Sequence, residues 1–200
     1  MNLFSTQAAE NILPFDGEVY NYGLVLNKEE CNLYFNTFLK ANFWEQDELV
    51  MFGKRIVTAR KVAWFGDLDY QYSYSNSIKK SIYWTPELLS IKNLVELKTG
   101  QKFNSCLLNL YHNGNEGMGW HQDNERELGV NPVIASLSLG ATRKFSFKHI
   151  QSKQKVEIIL HPGSLLLMKG ETQEKWLHSL PKTTKVNMPR INLTFRNIYN

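Results

Sequence analysis

The hydrophobic pattern of the first hundred residues predicts two helices. Residues 27–42 carry an apolar stripe at helical spacing, and Asn27 is followed three positions later by a glutamate, as in a capping box. A second helix is expected to begin after Thr85, with Pro86 as its first residue, and to end at Gly100, because these residue types mark helix starts and stops.

After residue 100 the period of the apolar positions changes from 3.6 to 2, which predicts β-strands. Turn-forming segments at 131–132, 140 and 161–163 separate several of the apolar runs. Many short strands after a pair of helices are typical of an α+β chain, here a β-sandwich or jelly roll with the helices packed outside. The predicted strands cover residues 104–111, 133–139, 143–149, 155–160, 164–168 and 190–198.

The composition fits a folded chain of one domain. Of its 200 residues, 42% are hydrophobic and 12% are aromatic, which excludes disorder as a description and allows a real core. The net charge of +4 is compatible with a polyanionic partner without requiring one. No apolar run reaches membrane-spanning length, and the N-terminus lacks a basic region before an apolar run. We therefore expect a cytoplasmic protein with no membrane partner.

Two cysteines, Cys31 and Cys106, lie on apolar segments and have no metal-type spacing. Small apolar-flanked thiols are usually buried. We expect two buried free thiols in a reducing compartment.

The stretch G-W-H-Q-D-N-E at residues 119–125 indicates metal chemistry. His121, Asp123 and Glu125 are spaced by two, so they project from one face of an extended segment. Two histidines and one carboxylate on one side of a metal form the facial triad of non-heme Fe(II) oxygenases, which leaves coordination positions open. An ordinary surface pair is the alternative. A third ligand must come from elsewhere, and spacing alone leaves four candidates: His112, His149, His161 and His178.

The C-terminal strand P-R-I-N-L-T-F-R, residues 189–196, has one apolar and one polar face. Its polar face is either a solvated outer surface or the wall of a pocket for a small dicarboxylate, since arginine forks match carboxylates bidentately. Asn109 and Tyr111 share a face just before the His-x-Asp pair, and they would add an amide and a phenol to the same pocket. The polar face consists of Arg190, Asn192, Thr194 and Arg196.

Together, N-x-Y, H-x-D, a later histidine and R-x-N-x-T-x-R resemble the AlkB family of Fe(II)/2-oxoglutarate dioxygenases, from about residue 48 to the C-terminus. The resemblance implies a double-stranded β-helix, that is, a jelly roll, with Fe(II), 2-oxoglutarate and dioxygen as cofactors. It implies His178 as the third iron ligand, beside His121 and Asp123. It also implies that Arg190 grips the distal carboxylate of 2-oxoglutarate and that Arg196 lies near the carboxylate beside the keto group. The other implied cosubstrate contacts are Asn109, Tyr111, Asn192 and Thr194.

The same resemblance implies a substrate. Phe52, in M-F-G-K, is similar to the finger loop of homologues that act on duplex DNA, where an apolar side chain enters the base stack; a packed Phe52 is the alternative. Tyr72 and Tyr74 share a face with Tyr70, either in cross-strand packing or, as the resemblance implies, in a nucleotide-recognition lid that stacks on a flipped base. His121 would form the opposite wall, and Glu125 would face the base edge.

A basic run near this finger either binds phosphates or forms a solvated face. The implied function is oxidative demethylation of N-alkylated bases in DNA, with succinate and formaldehyde as products. We expect a monomer with one domain over residues 1–200. The helices, finger hairpin and lid are expected in about 1–100, and the jelly-roll core in about 101–200. The expected partner is alkylated DNA in duplex form. An RNA or protein demethylase and a non-catalytic nucleic-acid-binding module are the alternatives. The basic run comprises Lys54, Arg55, Arg60 and Lys61.

Overall fold

The computed structural model describes residues 10–51, 54–68, 70–74 and 77–199. The elements in this part of the chain are mostly strands. In chain order they are β1 (Glu18–Leu24), α1 (Lys28–Leu39), β2 (Glu45–Met51), β3 (Lys54–Gly66), β4 (Gln71–Tyr74), β5 (Ser77–Lys80), α2 (Pro86–Thr99), β6 (Ser105–Tyr111), β7 (Met118–His121), a 3-10 turn (Arg126–Leu128), β8 (Ile134–Gly140), β9 (Arg143–His149), β10 (Lys155–Leu160), β11 (Ser164–Lys169), α3 (Thr172–Lys175), β12 (Trp176–Leu180) and β13 (Arg190–Arg196).

Two antiparallel sheets form the body of the molecule, which confirms the predicted α+β jelly roll. The larger sheet has seven strands in the order β1-β11-β8-β13-β6-β3-β2, and the smaller has four in the order β10-β9-β12-β7. A separate hairpin joins β4 and β5. Since β1, β2 and β3 belong to the larger sheet, a division of the chain near residue 100 does not separate the helices from the jelly-roll strands.

Both long helices begin as their sequences predict. The side chain of Asn27 accepts from the backbone of Glu30 at 2.9 Å, while the Glu30 carboxylate accepts from the backbone of Asn27 at 2.8 Å. At α2, Thr85 caps the start and Gly100 ends the helix with a φ of +68°, a conformation that glycine adopts without steric cost. Helix α1 ends at Leu39, before the predicted limit of 42. Among the described residues, no helix is long and apolar enough to cross a membrane.

The two faces of the larger sheet bury different groups. Toward the helices, Leu193 and Phe195 of β13 pack in one core cluster with Leu88 and Val95 of α2. On the opposite face, a second cluster joins the larger sheet to the smaller one through side chains that include Ile134, Leu166, Met168, Phe147 and Trp176. Residues of each strand therefore alternate between the helix side and the space between the sheets, as the pleat requires.

Both cysteines are free and buried, which confirms the expected thiols. Cys106 belongs to the core between the larger sheet and the helices. Burial raises the pKa of its thiol well above the usual value, so Cys106 stays protonated at neutral pH.

All six strands predicted after residue 100 are present, and those at 143–149 and 155–160 have the predicted bounds. The strand expected at 190–198 ends at residue 196. Strands β1 and β12 carry weaker signals. In β12 both faces are largely buried, so W-L-H-S-L shows no alternation to read. The hairpin expected around residues 48–55 corresponds to β2 and β3, and Phe52 at its tip lies outside the described residues.

A buried carboxylate fastens the end of α2 to the chain that follows. Glu96 is 8% exposed, and its carboxylate accepts from the ammonium of Lys102 at 2.6 Å and from the backbone N–H of Phe103 at 3.1 Å. The ammonium of Lys92 lies 3.3 Å from the same carboxylate. Burial acts to raise the pKa of Glu96, but these donors outweigh it, so its pKa lies below the usual 4.5.

We expect Glu96→Gln to lower the free energy of unfolding by about 1–3 kcal/mol at pH 7, because hydrogen bonds to a charged acceptor are lost. The ionised Glu96 stabilises the fold above its unfolded pKa, and this contribution is lost as pH falls through the lower folded pKa. The gap between wild type and variant in urea titrations should therefore shrink toward pH 3. Glu45→Gln, at an exposed position in β2, is the control. A pH-independent gap would contradict this role.

Candidate active site

A cavity of about 440 Å³ opens between the two sheets. One wall is the polar face of β13 with its neighbours β6 and β8, and the opposite wall includes β7 and β12. The lining therefore combines the H-x-D motif of residues 121–123 with the R-x-N-x-T-x-R motif of residues 190–196. Its polar residues include Asn109, Tyr111, His121, Asp123, Glu125, His178, Arg190, Asn192, Thr194 and Arg196.

Two histidines and one carboxylate meet in this cavity. His121 ends β7 and lies opposite His178 of β12 in the strand ladder, with ring centroids 4.1 Å apart. The Nε2 atoms of His121 and His178 lie 3.8 and 3.9 Å from Oδ1 of Asp123. Ligand atoms of all three residues fall within 4.8 Å of one another, and no other such group occurs in the part of the chain that the structure describes. The predicted grouping is confirmed.

The hydrogen bond of His121 and the burial of His178 suit metal binding. Nδ1 of His121 lies 2.8 Å from the carbonyl oxygen of Gly119. Since a carbonyl can only accept, Nδ1 carries the proton, and the lone pair of Nε2 is left facing Asp123. His178 is 4% exposed; burial first, and then the charge of His121, lower its pKa to about 3. His178 is thus neutral at pH 7, as a metal ligand must be.

Asp123 is held both at its carboxylate and at its backbone. Nη2 of Arg196 donates to its Oδ2 at 2.5 Å, and the Asp123 backbone N–H donates to the side chain of Gln173 at 2.9 Å. Burial acts to raise the Asp123 pKa, but the charge of Arg196 is the main effect that keeps it below its usual value. Two imidazole nitrogens converging on a buried carboxylate form a donor set that fits Fe(II).

The expectation that residues 121, 123 and 125 share one strand face is wrong. Strand β7 ends at His121, and Glu125 is the N-cap of the 3-10 turn. The backbone of Asp123 bonds to a side chain instead of to a neighbouring strand, so the strand ladder does not continue. Asp123 and Glu125 reach the cavity from an irregular segment that follows β7.

The remaining histidines lie elsewhere. His112 bonds to Glu116 at 2.9 Å, and His161 lies 3.2 Å from the hydroxyl of Thr142. His149 is buried beside Ser152. The four candidates that spacing leaves open are thereby reduced to His178, which the register of β12 against β7 places in the cavity.

Arg190 is a buried cation that faces the cavity. It is 2% exposed, and its Nη2 donates to Ser138 at 2.9 Å and to Asn192 at 2.7 Å. Both partners are neutral, and no carboxylate among the described residues pairs with Arg190. Its Nε is buried without a partner. Burial lowers its pKa to about 10, so it remains charged at pH 7 and fits an incoming carboxylate.

The polar face of β13 is a pocket wall and not a solvated surface. Asn192 donates to Thr194 at 2.8 Å while accepting from Arg190, so these side chains form one chain of hydrogen bonds. Tyr111 lies opposite Arg190 in the ladder, and its ring is 5.7 Å from the guanidinium carbon. Oδ1 of Asn109 is buried without a partner, which fits a donor from a bound molecule.

Glu125 also borders the cavity, with Oε2 buried and unpartnered. Burial raises the pKa of its carboxyl, although Arg196 acts in the opposite direction. In the lid region, the backbones of Tyr72 and Tyr74 pair with β5, and their side chains lie outside the described residues. Tyr70 is buried, and its ring centroid lies 6.3 Å from that of Trp64, so Tyr70 belongs to the packed interior.

The structure describes the side chains of two residues of the predicted basic run, Arg60 and Lys61. Arg60 is only 9% exposed, lines the cavity, and places Nη1 3.0 Å from the sulfur of Met118. Lys61 follows it in β3, and successive strand residues point to opposite faces. The side chains of Lys54 and Arg55 lie outside the described residues. Arg60 and Lys61 therefore do not form one solvated face, and the phosphate contacts of the four residues stay a prediction.

Several site residues escaped the sequence analysis. Ser136 and Ser138 occupy alternate positions in the apolar strand I-A-S-L-S-L-G, and they bond to Asn192 and Arg190. That alternation was a readable signal for a strand with one polar face. Gln173 carries no such signal, because its contact with Asp123 joins residues that are 50 positions apart.

Comparison with known proteins matches the model of the 2OG-Fe(II) oxygenase superfamily to residues 19–196. The chain is 42% identical over 189 residues to human "DNA oxidative demethylase ALKBH2", covering 89% of this chain and 72% of that protein. It is 38% identical over 180 residues to "Alpha-ketoglutarate-dependent dioxygenase alkB homolog 3" from Bos taurus, covering 86% of this chain and 63% of that protein. To the human alkB homolog 3 it is 42% identical over 149 residues, covering 70% of this chain and 52% of that protein.

The chain thus spans between half and two thirds of the length of these alkB homolog 3 proteins. Among solved structures, OsALKBH1 matches with a TM-score of 0.59 at 15% identity, covering 92% of this chain and 99% of that one. A likeness at this identity shows the jelly-roll fold alone.

Proposed function

Since the chain belongs to the AlkB family within the 2OG-Fe(II) oxygenase superfamily, we propose that it removes alkyl groups from the nitrogens of DNA bases by Fe(II)- and 2-oxoglutarate-dependent oxidation. One observation supports this activity above the others. The converging Nε2 atoms of His121 and His178 share a cavity with Arg190, a buried cation that pairs with no carboxylate in the described part of the chain.

Each wall of the cavity has a part in this activity. His121, Asp123 and His178 would hold the iron, and Arg190 would bind the distal carboxylate of 2-oxoglutarate. Bound iron supplies dioxygen-dependent hydroxylation of a C–H bond, coupled to decarboxylation of 2-oxoglutarate to succinate. Arg196 keeps Asp123 ionised and oriented. Hydroxylation of an N-methyl group yields a hemiaminal that releases formaldehyde and restores the base.

The substrate is proposed to be an extruded base. An alkylated nitrogen inside a base stack cannot reach a buried metal centre, so the nucleotide must leave the stack. The cavity of about 440 Å³ is of the size that small-molecule ligands occupy. Glu125 and His121 both line the cavity, and we propose that they contact the edge and the face of the base. Tyr72 and Tyr74 are proposed to stack on the other face.

Formaldehyde release separates the possible nucleic acids. The chain, supplied with Fe(II) and 2-oxoglutarate, is given the same N-methylated base in duplex DNA, in single-stranded DNA and in RNA. We expect release from DNA, with the duplex accepted. Formaldehyde release from RNA alone would contradict DNA as the substrate but would still support the proposed metal centre.

Phe52 gives the sharpest test of duplex action. A wedge fills the gap that an extruded base leaves, and unstacking costs a few kcal/mol per step in a duplex but less in a single strand. Phe52→Ala should therefore lower the ratio of duplex to single-strand demethylation rates by about tenfold, which corresponds to about 1.4 kcal/mol. Succinate formation without DNA should stay at the wild-type rate.

The melting temperature of the Phe52→Ala protein is the control. If Phe52 packs against the body of the protein, its truncation would lower the free energy of unfolding by roughly 3–5 kcal/mol. The demethylation rates of duplex and single-stranded DNA would then fall together. An unchanged rate ratio with a lowered melting temperature would contradict the wedge.

A further inference from the structure

Two glutamine side chains connect the segment that carries Asp123 to the segment that leads into His178. Nε2 of Gln122 donates to the backbone carbonyls of Gln173 at 2.7 Å and Glu174 at 3.1 Å. In the opposite direction, the backbone N–H of Asp123 donates to Oε1 of Gln173 at 2.9 Å. The bonds are reciprocal, because each segment contributes one side-chain amide and each holds the backbone of the other.

The surroundings of Gln173 fix the orientation of its amide. Gln173 is only 2% exposed, and its Nε2 lies 3.6 Å from the sulfur of Met168, which is a weak acceptor. A flipped amide would direct two N–H groups at the N–H of Asp123, so the oxygen must face Asp123. Gln173 is absent from the cavity lining. It therefore acts on the site through Asp123 and not by touching a ligand.

Gln173 is itself mounted on a well-anchored part of the fold. The hydroxyl of Thr172, its neighbour in α3, accepts from the backbone of Glu18 at 2.7 Å and donates to the carbonyl of Lys169 at 2.6 Å. These bonds tie α3 to β1 and β11 of the larger sheet. Trp176, which begins β12, is fully buried and donates its indole N–H to Phe15 at 3.1 Å. The anchor for Asp123 is thus continuous with the strand that carries His178.

The backbone of Asp123 depends on this anchor. Strand β7 ends at His121, so Asp123 has no ladder partner, and its N–H bonds to Gln173. Arg196 holds the carboxylate but leaves the position of the main chain open. Metal affinity depends on partners that orient the ligands, and removing such a partner typically costs about 10–100-fold.

We propose that Gln173, braced by Gln122, is a positioning residue of the metal centre that sets the place of the Asp123 carboxylate relative to the His178 imidazole. The inference rests on the proposed iron site and adds two residues to it. Its direct consequence is that divalent metal binds more weakly when the Gln173 oxygen is removed, even where the ligands themselves are intact.

Titration of the metal-free full chain with Co(II) alone tests this consequence, with the visible absorption of the bound ion as the signal. Gln173→Leu should weaken Co(II) binding by about tenfold or more and alter the absorption spectrum. Gln122→Leu should act in the same direction. Since both side chains serve one connection, the double variant should lose less than the product of the two single effects.

Two control variants separate positioning from general destabilisation. Gln154→Leu makes the same substitution at an exposed site and should keep wild-type Co(II) affinity. Val95→Ala opens the buried core of α2, and it should lower the melting temperature without changing Co(II) affinity. A folded Gln173→Leu protein whose Co(II) affinity lies within twofold of wild type overturns the inference.

Should Gln173→Leu fail to fold, Gln122→Leu decides by the same criterion, because Gln122 is only partly buried. A folded wild-type chain that binds no Co(II) would contradict the proposed metal centre itself, and the inference would fall with it. Binding by wild type that Gln173→Leu and Gln122→Leu leave unchanged would contradict only the role of the glutamines.

Discussion

His178→Ala is expected to abolish demethylation while leaving the protein folded. The residue supplies one of three metal ligands, and its Nδ1 is buried without a partner, so truncation breaks no hydrogen bond. A metal ion contributes several kcal/mol to catalysis, so turnover should fall by about a thousandfold or more. Formaldehyde release and bound metal should be lost together, as measured on the purified protein.

His161→Ala is the matched control, because His161 lies in a turn and bonds to Thr142. It should retain both metal and turnover. The ligand assignment is wrong if His178→Ala keeps turnover and His161→Ala loses it. Asp123→Ala should also abolish turnover, but at an added cost in stability, because it leaves the half-buried Arg196 without its carboxylate partner.

Arg190→Ala is expected to weaken 2-oxoglutarate binding far more than it changes metal binding. Removing one partner of a buried charged pair typically costs roughly 2–5 kcal/mol, which is about thirtyfold or more in affinity. Truncation also removes the donor to Ser138 and one of the two donors to Asn192, which keeps its bond from Ser136. Titration of the metal-loaded protein with 2-oxoglutarate measures the effect.

Arg126→Ala, at an exposed position in the 3-10 turn, is the control for loss of one positive charge. Its 2-oxoglutarate affinity should match that of wild type. Equal affinities for wild type and Arg190→Ala would remove Arg190 from the cosubstrate site and leave the polar face of β13 without an explanation.

The sequence predicts one wall of the cavity because β13 has two distinct faces. Ile191, Leu193 and Phe195 are fully buried toward the helices, so the intervening residues must point the other way. Antiparallel pairing then places Asn109 beside Asn192 and Tyr111 beside Arg190. Alternation along single strands was sufficient for this wall.

The opposite wall depends on contacts that alternation does not encode. His178 lies in β12, where burial on both faces removes the period of two, and its position follows from pairing with β7. Before the family resemblance is considered, spacing leaves four histidines open. The position of Asp123 is equally hidden from alternation, because it depends on Arg196 and Gln173, which lie 73 and 50 residues away.

Arg60 shows a second limit of reading local charge. Its neighbours in sequence suggested a basic surface, but the pleat of β3 directs Arg60 into the cavity and away from Lys61. A cluster of charges in sequence is a cluster in space only when the local structure keeps the side chains on one face.

The stoichiometry of products on methylated DNA tests the central claim most directly. The chain is incubated with Fe(II), 2-oxoglutarate and an N-methylated DNA oligonucleotide, and succinate and formaldehyde are quantified together. The proposed site predicts that both products form, that formaldehyde release requires the methyl group, and that both vanish in His178→Ala. A folded, metal-loaded protein that forms succinate from 2-oxoglutarate but releases no formaldehyde from methylated DNA would contradict the proposed activity.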